Sequence, residues 1–382
     1  MDLAELRSRR LFAQGLRGGP PVTATPTPVE VVSRSMAVQA QEYLPAQWGL
    51  AQRLSGDGRP DAAGVAALVD GGEILRTHVL RPTWHFVTPA DARWLVELSA
   101  ERVHRVNGTY YRRHGVDGAD ATASLDVVAA ALADGHRTRA ELSAALEAAG
   151  RPSSGLGFTL LLMYAELERI AISGASAGKQ RTYAAFDERV PAAPPRPRAD
   201  ALAELAERFL LTRGPASARD FSAWSGFSLG DARTALADAA DRTAGRIEPI
   251  TGPDDEQQWQ DAAIAAAWRA RYRPDDPGRN VVDLLQAYDE YIMGHAAPRA
   301  YLQPSDRADP VHPEFPLHAM MVDGVMVGRW APVLEAKRAA VRIVPWRVFS
   351  RAEERSLAAS VAEVERFLGV PVTVEREEPT GP

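Results

Sequence analysis

One order of secondary-structure elements recurs three times along this 382-residue chain, and the recurrence restricts the fold more than any other feature. Each copy is predicted to contain helices followed by a two-stranded ribbon, because apolar residues first recur every three or four positions and then alternate. In the first copy the predicted helices cover 2–16, 29–41, 46–54 and 61–72, and the ribbon covers 73–87. The repeat is one of architecture, since the copies show no visible similarity of sequence.

The second and third copies follow the same order. In the second, helices are predicted within 121–150 and over 157–168, before a ribbon over 170–186. Thr138 is the expected N-cap of one of these helices and Gly150 the glycine after its C-terminus. A proline-rich linker at 191–200 precedes the third copy, whose predicted elements are helices over 199–214 and 217–240 and a strand over 244–251.

Helices followed by a ribbon form the order of a winged helix, a variant of the helix-turn-helix. We therefore predict an α+β, predominantly α protein with tandem winged-helix domains at 1–118, 119–198 and 199–280. From residue 281 the pattern changes to strands around the turn Asp323-Gly324, with an amphipathic helix over 352–369. This pattern predicts a β-barrel-like C-terminal domain at 281–382 with a covering helix.

Composition excludes several classes of site. The chain has no cysteine, so disulfides, thiolate zinc sites and cysteine nucleophiles are excluded, and its histidines show no metal-ligand spacing joined to carboxylates. We expect no metal and no cofactor. The N-terminus lacks the order of a signal peptide and no apolar run reaches membrane-spanning length, so we expect a cytoplasmic protein without membrane contact. The net charge of -6 provides no global attraction to nucleic acid.

The segment MAVQAQ places Gln39 and Gln41 two residues apart inside a predicted helix. Residues two apart do not share a helix face. In a continuous helix one of the two amides would therefore point into solvent, whereas both can face the protein if the helix ends there. Pro45 favours an end, because the residue before a proline is pushed out of helical geometry. The sequence therefore predicts that both glutamines lie at a helix end and face a cleft.

Several motifs occur in an order that resembles a known family. They are QAQ at 39–41, LRPTWHFVTPAD at 80–91, LMYAELERI at 162–170 with GKQRTYAAFDERV at 178–190, LLQAYDEYIMG at 284–294 and VDGVMVGRW at 322–330. Together they resemble the AlkZ-like winged-helix DNA glycosylases, bacterial enzymes related to the YcaQ group that excise bulky N7-alkylguanine. The resemblance implies three tandem winged helices and a β-barrel around a C-shaped cleft for duplex DNA. It also implies a monofunctional glycosylase, and in some members the unhooking of interstrand crosslinks as self-resistance to an alkylating antibiotic.

The resemblance also assigns site residues. The family's catalytic signature falls on Gln39, Ala40 and Gln41, where the YcaQ branch has aspartate at the last position; glutamine there places this chain on the crosslink side. Thr83 and His85 would contact DNA or water in the lesion pocket, although a wing strand with a satisfied histidine is an equal interpretation. Residues at the second ribbon turn would contact a groove or phosphate, or form an exposed polar turn; they are Lys179, Gln180 and Arg181. Asp289 and Glu290 either frame the cleft or are structural.

The two glutamines limit the chemistry, because an amide side chain does not titrate and cannot act as general acid or base. Glycosidic hydrolysis generally uses two carboxylates and passes through an oxocarbenium-like transition state. A purine alkylated at N7 already carries a positive charge and leaves without being protonated. The remaining task is to position a water and to surround the developing cation with amide oxygens. The pair therefore suits a cationic lesion and suits an intact nucleoside poorly.

Two other functions remain open from the sequence. Winged helices often occur in non-enzymatic DNA-binding regulators. The net negative charge of the chain is also compatible with a scaffold that binds other proteins. The glutamine pair argues against a regulator, as does the lack of an obvious dimerising helix, which also favours a monomer. The expected partner is double-stranded DNA that carries an alkylated guanine.

Overall fold

The computed structural model describes residues 1–18, 27–54, 59–272, 280–303 and 315–379. The chain forms two units: the first comprises Met1–Ser35, Glu42–Val65 and Ala203–Pro382, and the second comprises Met36–Gln41 and Ala66–Leu202. Helices and strands are both present and about half of the residues are helical, so the fold is a mixed α+β fold.

The first copy of the repeat begins with helix α1 (Leu3–Ala13), whose N-cap Asp2 accepts a hydrogen bond from the Glu5 backbone N–H at 2.8 Å. The elements that follow are α2 (Pro28–Ser35), β1 (Val38–Gln39), α3 (Tyr43–Ala51), α4 (Ala62–Gly71), β2 (Leu75–His78) and β3 (Trp84–Val87). The three strands form an antiparallel sheet in the order β1-β3-β2.

The helix predicted over 29–41 was wrong at its C-terminal end. Helix α2 ends at Ser35, and Met36 adopts a left-handed conformation with φ of 66°. That conformation turns the chain out of the helix and into β1, so the glutamine pair does not lie at a helix end.

A 25-residue helix, α5 (Pro89–Arg113), connects the first ribbon to the second copy. The second copy consists of α6 (Gly118–Ala133), β4 (Arg137–Thr138), α7 (Arg139–Ala148), α8 (Gly155–Leu167), β5 (Ala171–Ser173), β6 (Thr182–Ala185) and α9 (Phe186–Arg189). Thr138 caps α7 in a capping box with Glu141, and Gly150 follows the helix end with φ of 65°, so both predicted ends are confirmed. The sheet order is β4-β6-β5.

The third copy repeats this topology. It contains α10 (Arg198–Arg213), α11 (Ala218–Ser225), α12 (Leu229–Arg242), β7 (Ile247–Thr251), β8 (Gln257–Asp261) and α13 (Ala262–Arg271). Ala216, before α11, forms a β-bridge with Trp259 of β8. This bridge corresponds to the pairing of β1 with β3 in the first copy and of β4 with β6 in the second. In each copy a short segment thus pairs with the last strand, and this segment precedes α3 in the first copy, α7 in the second and α11 in the third. That the copies are winged-helix domains stays a prediction. The boundaries of the four domains stay a prediction.

The C-terminal part contains an open sheet. Its elements are β9 (Val282–Leu285), α14 (Glu290–Met293), β10 (Ala319–Val322), β11 (Val325–Leu334), β12 (Ala339–Pro345), α15 (Arg351–Leu368) and β13 (Val372–Arg376). The strand order is β13-β12-β11-β10-β9, with β10 and β11 joined by the predicted Asp323-Gly324 turn.

No closed barrel is present in the described residues, so that part of the prediction is corrected. Closure would require the edge strands β9 and β13 to pair with each other. Instead α15 occupies the edge of β9: the Val282 N–H donates to Ser356 Oγ at 2.8 Å, and Ser360 Oγ donates to the Val282 carbonyl. These two serines satisfy backbone groups that a neighbouring strand would otherwise bind.

Each unit has its own apolar core. In the second unit α5, α6, α7 and α8 contribute buried side chains that include Val103, Val128, Leu132, Leu146, Phe158 and Leu161. In the first unit Leu6 and Leu11 of α1 belong to one buried cluster with Leu285 and Met321 of the C-terminal sheet and Tyr291 of α14. None of the described helices is both long and apolar enough to cross a membrane.

Candidate active site

The glutamine pair lies on the sheet of the first copy. Gln39 is opposite His85 in the β1–β3 pairing, and the Ala40 N–H donates to the Trp84 carbonyl at 2.7 Å. In extended chain, residues two apart project to the same side, whereas on a helix they diverge. Gln39 is the last residue of β1 and Gln41 lies two residues beyond it, so the divergence that a helix would impose on the pair does not apply.

Gln39 is buried, with 2% of its surface exposed. Its Oε1 accepts a hydrogen bond from Arg81 Nη2 at 2.8 Å. Because the guanidinium donates and never accepts, this contact fixes which end of the amide faces Arg81. The sequence had indicated no role for Arg81.

Gln41 is half-buried and is held from two directions. Its Oε1 accepts from the Trp84 N–H at 3.3 Å. Arg76 donates from Nε to the Ala40 carbonyl at 2.9 Å and from Nη2 to the Gln41 carbonyl at 3.4 Å. The same guanidinium lies 4.3 Å from the centre of the Trp84 ring, a cation–π contact that ties β2 to β3 beside the pair.

The turn between β2 and β3 presents Arg81 and Thr83. Leu80, fully buried, has φ of 62°, a left-handed conformation that costs about 1–3 kcal/mol for a residue with a Cβ. Its N–H donates to Ser99 Oγ of α5 at 2.8 Å, and the Thr83 N–H donates to the Arg81 carbonyl at 2.7 Å. Thr83 Oγ1 is buried and has no hydrogen-bond partner among the described residues, so a water would satisfy it.

His85 is fully buried, and its Nδ1 lies 2.9 Å from the Thr83 carbonyl. A carbonyl only accepts, so Nδ1 carries a proton and donates it to this contact. This contact also fixes the His85 ring relative to the Thr83 backbone.

A buried carboxylate close to this sheet was not predicted. Glu166 of α8 is 1% exposed. Its Oε2 accepts a hydrogen bond from the His78 backbone N–H at 2.9 Å and lies 2.6 Å from His78 Nδ1. The His78 ring is 4.5 Å from that of Trp84. Trp84 thus contacts both Arg76 and His78, which are two residues apart on β2. The alternation of β2 could have revealed this pair, since residues i and i+2 share a face.

The comparisons with known proteins identify the family and the fold. The family model described as DNA glycosylase AlkZ-like matches residues 32–367. The chain belongs to the AlkZ-like DNA glycosylase family. Its fold is similar to that of the Streptomyces sahachiroi DNA glycosylase AlkZ, with a TM-score of 0.76 over 99% of this chain and 100% of that chain at 20% identity. No curated protein matches the chain.

In this AlkZ-like chain the second ribbon turn lies on a different sheet from the glutamines. The backbones of Ala177 and Gln180 pair at 2.9 and 3.1 Å, and Gly178 has φ of 61°, which leaves Lys179 at an exposed tip. Arg181 is exposed beside it. The two sheets are linked where the Arg76 N–H donates to Ser173 Oγ at 2.8 Å.

Asp289 and Glu290 have structural partners in the AlkZ-like fold. Asp289 is 1% exposed and accepts two hydrogen bonds from Arg53, at 2.8 and 2.9 Å. Glu290, 3% exposed, accepts from Arg213 and from the Trp224 indole. Of the two interpretations that the sequence left open, these buried ion pairs favour the structural one.

No group of three or more His, Asp or Glu side chains in the described ranges is arranged to hold a metal ion. One histidine of the sequence, His312, lies outside those ranges.

Proposed function

We propose that this protein is a monofunctional DNA glycosylase that hydrolyses the N-glycosidic bond of N7-alkylguanine in duplex DNA. The observation that carries the proposal is the pair of amides at the end of β1, one buried on Arg81 and one half-exposed beside Trp84. The pair offers hydrogen-bonding dipoles and no titrating group. Family membership supports glycosylase chemistry, and the amides support a substrate that needs no acid.

The bond-breaking step needs no proton from the protein. In a guanine alkylated at N7 the purine is cationic, so the C1′–N9 bond breaks with its electron pair passing to the base, which leaves neutral. The sugar becomes an oxocarbenium cation, which amide oxygens stabilise in a preorganised site. Water then adds to C1′ and loses a proton to solvent, and this completes the hydrolysis.

The two glutamines have different tasks in this scheme. Gln41, half-exposed, is placed to contact the water or the sugar. Gln39, buried, directs its dipole within the site; an amide oxygen has two acceptor positions, so its bond to Arg81 does not by itself prevent contact with a water. Thr83 Oγ1, buried and without a partner among the described residues, is a further group that a water could bridge.

The finer parts of the proposal concern the substrate and its setting. Glutamine at position 41 supports activity on crosslinks, and with it a role in self-resistance to a DNA-alkylating natural product. Thr83 and His85 would line the lesion pocket, and Lys179, Gln180 and Arg181 would contact the duplex. The repeated topology supports three winged-helix domains. That they bind duplex DNA as a monomer is part of the same proposal.

The first prediction tests the glutamines. Gln41→Ala should lower the single-turnover release of N7-methylguanine from a duplex by about ten- to a thousandfold, the range found when a positioned dipole is lost. Gln39→Ala should do the same and should also destabilise the fold by about 1–3 kcal/mol, because Arg81 loses its acceptor. Release would be measured by chromatography of the free base, and stability by urea unfolding.

Gln257→Ala, at an exposed position of β8, is the matched control and should release the base at the wild-type rate. Wild-type rates in both glutamine variants would reject the assignment. Efficient release of uracil by the wild type would reject the mechanism, because nothing in the scheme activates a neutral base. Duplex binding without any release would favour the regulator.

A further inference from the structure

The C-terminal half of α5 carries a concentration of positive charge that the candidate active site does not use. Residues 102–114, RVHRVNGTYYRRH, contain four arginines and no aspartate or glutamate, in a chain of net charge -6. Acidic residues of α5 lie before this segment, at Asp91, Glu97 and Glu101. The helix is therefore divided into an acidic first half and a basic second half.

The basic residues share a face with exposed apolar ones. Arg105 is exposed, Val106 is 54% and Tyr110 51% exposed, and Arg112 and Arg113 are exposed at the helix end. Arg102, Val106, Tyr110 and Arg113 recur at intervals of three or four residues and share one face of the helix. Arg105 and Arg112, seven residues apart, lie along the side of that face, and the six positions together form one broad stripe. From Arg102 to Arg113 the stripe is roughly 16 Å long at 1.5 Å per residue, which matches about five steps of a DNA strand.

Like charges remain uncompensated on this stripe. Burial lowers the pKa of Arg102, and the charge of Arg105 lowers it further. Within the described ranges Arg105 is the one arginine of the stripe that forms an ion pair, with Glu101; Arg112 donates to the Thr109 hydroxyl at 3.3 Å. The negative C-terminal end of the helix dipole accounts for arginines in the last turn, but not for Arg102 and Arg105 two turns earlier.

We infer that this face, Arg102, Arg105, Tyr110, Arg112 and Arg113, binds the phosphodiester backbone of duplex DNA away from the lesion. Guanidinium groups pair with phosphate through two parallel N–H donors, and the tyrosine adds a hydroxyl donor. The stripe holds only two large exposed apolar side chains, so it lacks the apolar centre of a protein–protein interface. A polyanion is the partner whose charge complements it.

The position of the stripe fits a duplex that also reaches the glutamines. Helix α5 starts at Pro89, two residues after β3, and the stripe begins about 20 Å further along the helix axis at Arg102. That distance corresponds to about six base pairs of rise. The inference rests on the proposed function for its ligand, and it adds a contact with DNA that flanks the lesion.

The test compares two triple variants of the full chain. Arg105→Gln, Arg112→Gln and Arg113→Gln together remove three charges and keep good helix formers. The control is Arg338→Gln, Arg342→Gln and Arg376→Gln, three exposed arginines that are each paired with a glutamate in the C-terminal sheet. Affinity for an undamaged duplex of about 24 base pairs would be measured by fluorescence anisotropy between about 50 and 200 mM salt.

We expect the α5 variant to bind at least about tenfold more weakly at low salt, with a salt slope reduced by about two to three. The control should bind like the wild type, and lysine at the three α5 positions should restore most of the affinity.

Unchanged affinity and slope in the α5 variant, with its circular dichroism spectrum intact, would overturn the inference and would leave a protein partner as the occupant of the stripe. The test uses undamaged DNA and does not depend on catalysis. If the wild type bound DNA through α5 and released no base, the proposed function would fail while this inference stood.

Discussion

At the scale of single residues, the site depends on arginines that orient uncharged groups. Arg81 holds the Gln39 amide, and Arg76 holds the two carbonyls beside Gln41 while it stacks on Trp84. A glutamine can rotate its amide by half a turn at little cost in shape, so a fixed donor is needed to specify which atom faces the substrate. QAQ was recognisable in the sequence, but its arginine partners were not, because they are 35 to 42 positions away.

The second prediction concerns Arg81. Arg81→Met keeps a long side chain but removes the donor to Gln39, so the amide orientation is lost. We expect the single-turnover rate to fall by about ten- to a hundredfold, less than for Gln41→Ala, because both glutamines remain. Arg81→Lys should recover part of the rate through a single donor. Release of N7-methylguanine at saturating enzyme is the measurement, since it separates the rate from the affinity.

A wild-type rate for Arg81→Met at saturating enzyme would show that the contact is only structural. Urea unfolding of the same variant is the control. A loss of stability with an unchanged rate would assign Arg81 to the hairpin rather than to the chemistry.

At the scale of elements, the sequence correctly predicted both ends of α7 and a hairpin turn, which depend on residues within a few positions of each other. The capping box at Thr138, the glycine after α7 and the turn Asp323-Gly324 all occur where the sequence predicted them. Helix α5 was missed, although Thr88 before Pro89 is a strong signal for a helix start. After α2, the alternation of Val38, Gln39, Ala40 and Gln41 was a strand signal, and the helix prediction wrongly extended across it.

The third prediction concerns the second ribbon turn. Lys179→Ala with Arg181→Ala should weaken duplex binding to a similar extent for different sequences, because phosphate contacts carry no sequence information. The salt slope should shrink by about two. The matched control is Lys337→Ala with Arg338→Ala, an exposed Lys-Arg pair in the turn between β11 and β12. If both double variants bound like the wild type, the second ribbon turn would be a solvated loop.

At the scale of the whole molecule, the core of the first unit contains a buried histidine, His295, close to the charged residues Arg10 and Asp220. Burial and the nearby charge of Arg10 lower the pKa of His295, and Asp220, 3.8 Å from Nδ1, acts in the opposite direction; the net pKa is about 4. Neither ring nitrogen has a hydrogen-bond partner among the described residues. His295 is 1% exposed, so the folded protein holds this ring neutral.

The fourth prediction follows from that histidine. In the unfolded chain His295 protonates near pH 6.5, and in the folded protein near pH 4, so between these values the unfolded state binds the extra proton. The contribution of neutral His295 to the free energy of unfolding is therefore fully present above about pH 6.5 and is lost as the pH falls towards 4. We expect the free energy of unfolding to be about 2 kcal/mol lower at pH 5 than at pH 7 on account of His295.

Urea unfolding of wild type and His295→Gln at both pH values would measure this contribution. The variant should show a smaller loss between pH 7 and pH 5, whatever its absolute stability. His114→Gln, at the half-buried end of α5, is the control for removal of one histidine. Equal pH dependence in wild type and His295→Gln would contradict the prediction.

The sequence by itself determined the recurring order of helices and ribbons, the absence of cysteine chemistry and the non-titrating character of the glutamine pair, because these depend on periodicity and residue type alone. Only the tertiary structure decided that Gln39 ends β1 with Gln41 two residues beyond it, that Arg81 and Arg76 hold this segment, and that Glu166 accepts a hydrogen bond from the His78 N–H. It also decided that the C-terminal sheet stays open, with two serines of α15 bound to the edge of β9. The reason is physical: hydrogen bonds and ion pairs between residues distant in the chain depend on how elements pack, and no local pattern encodes that packing.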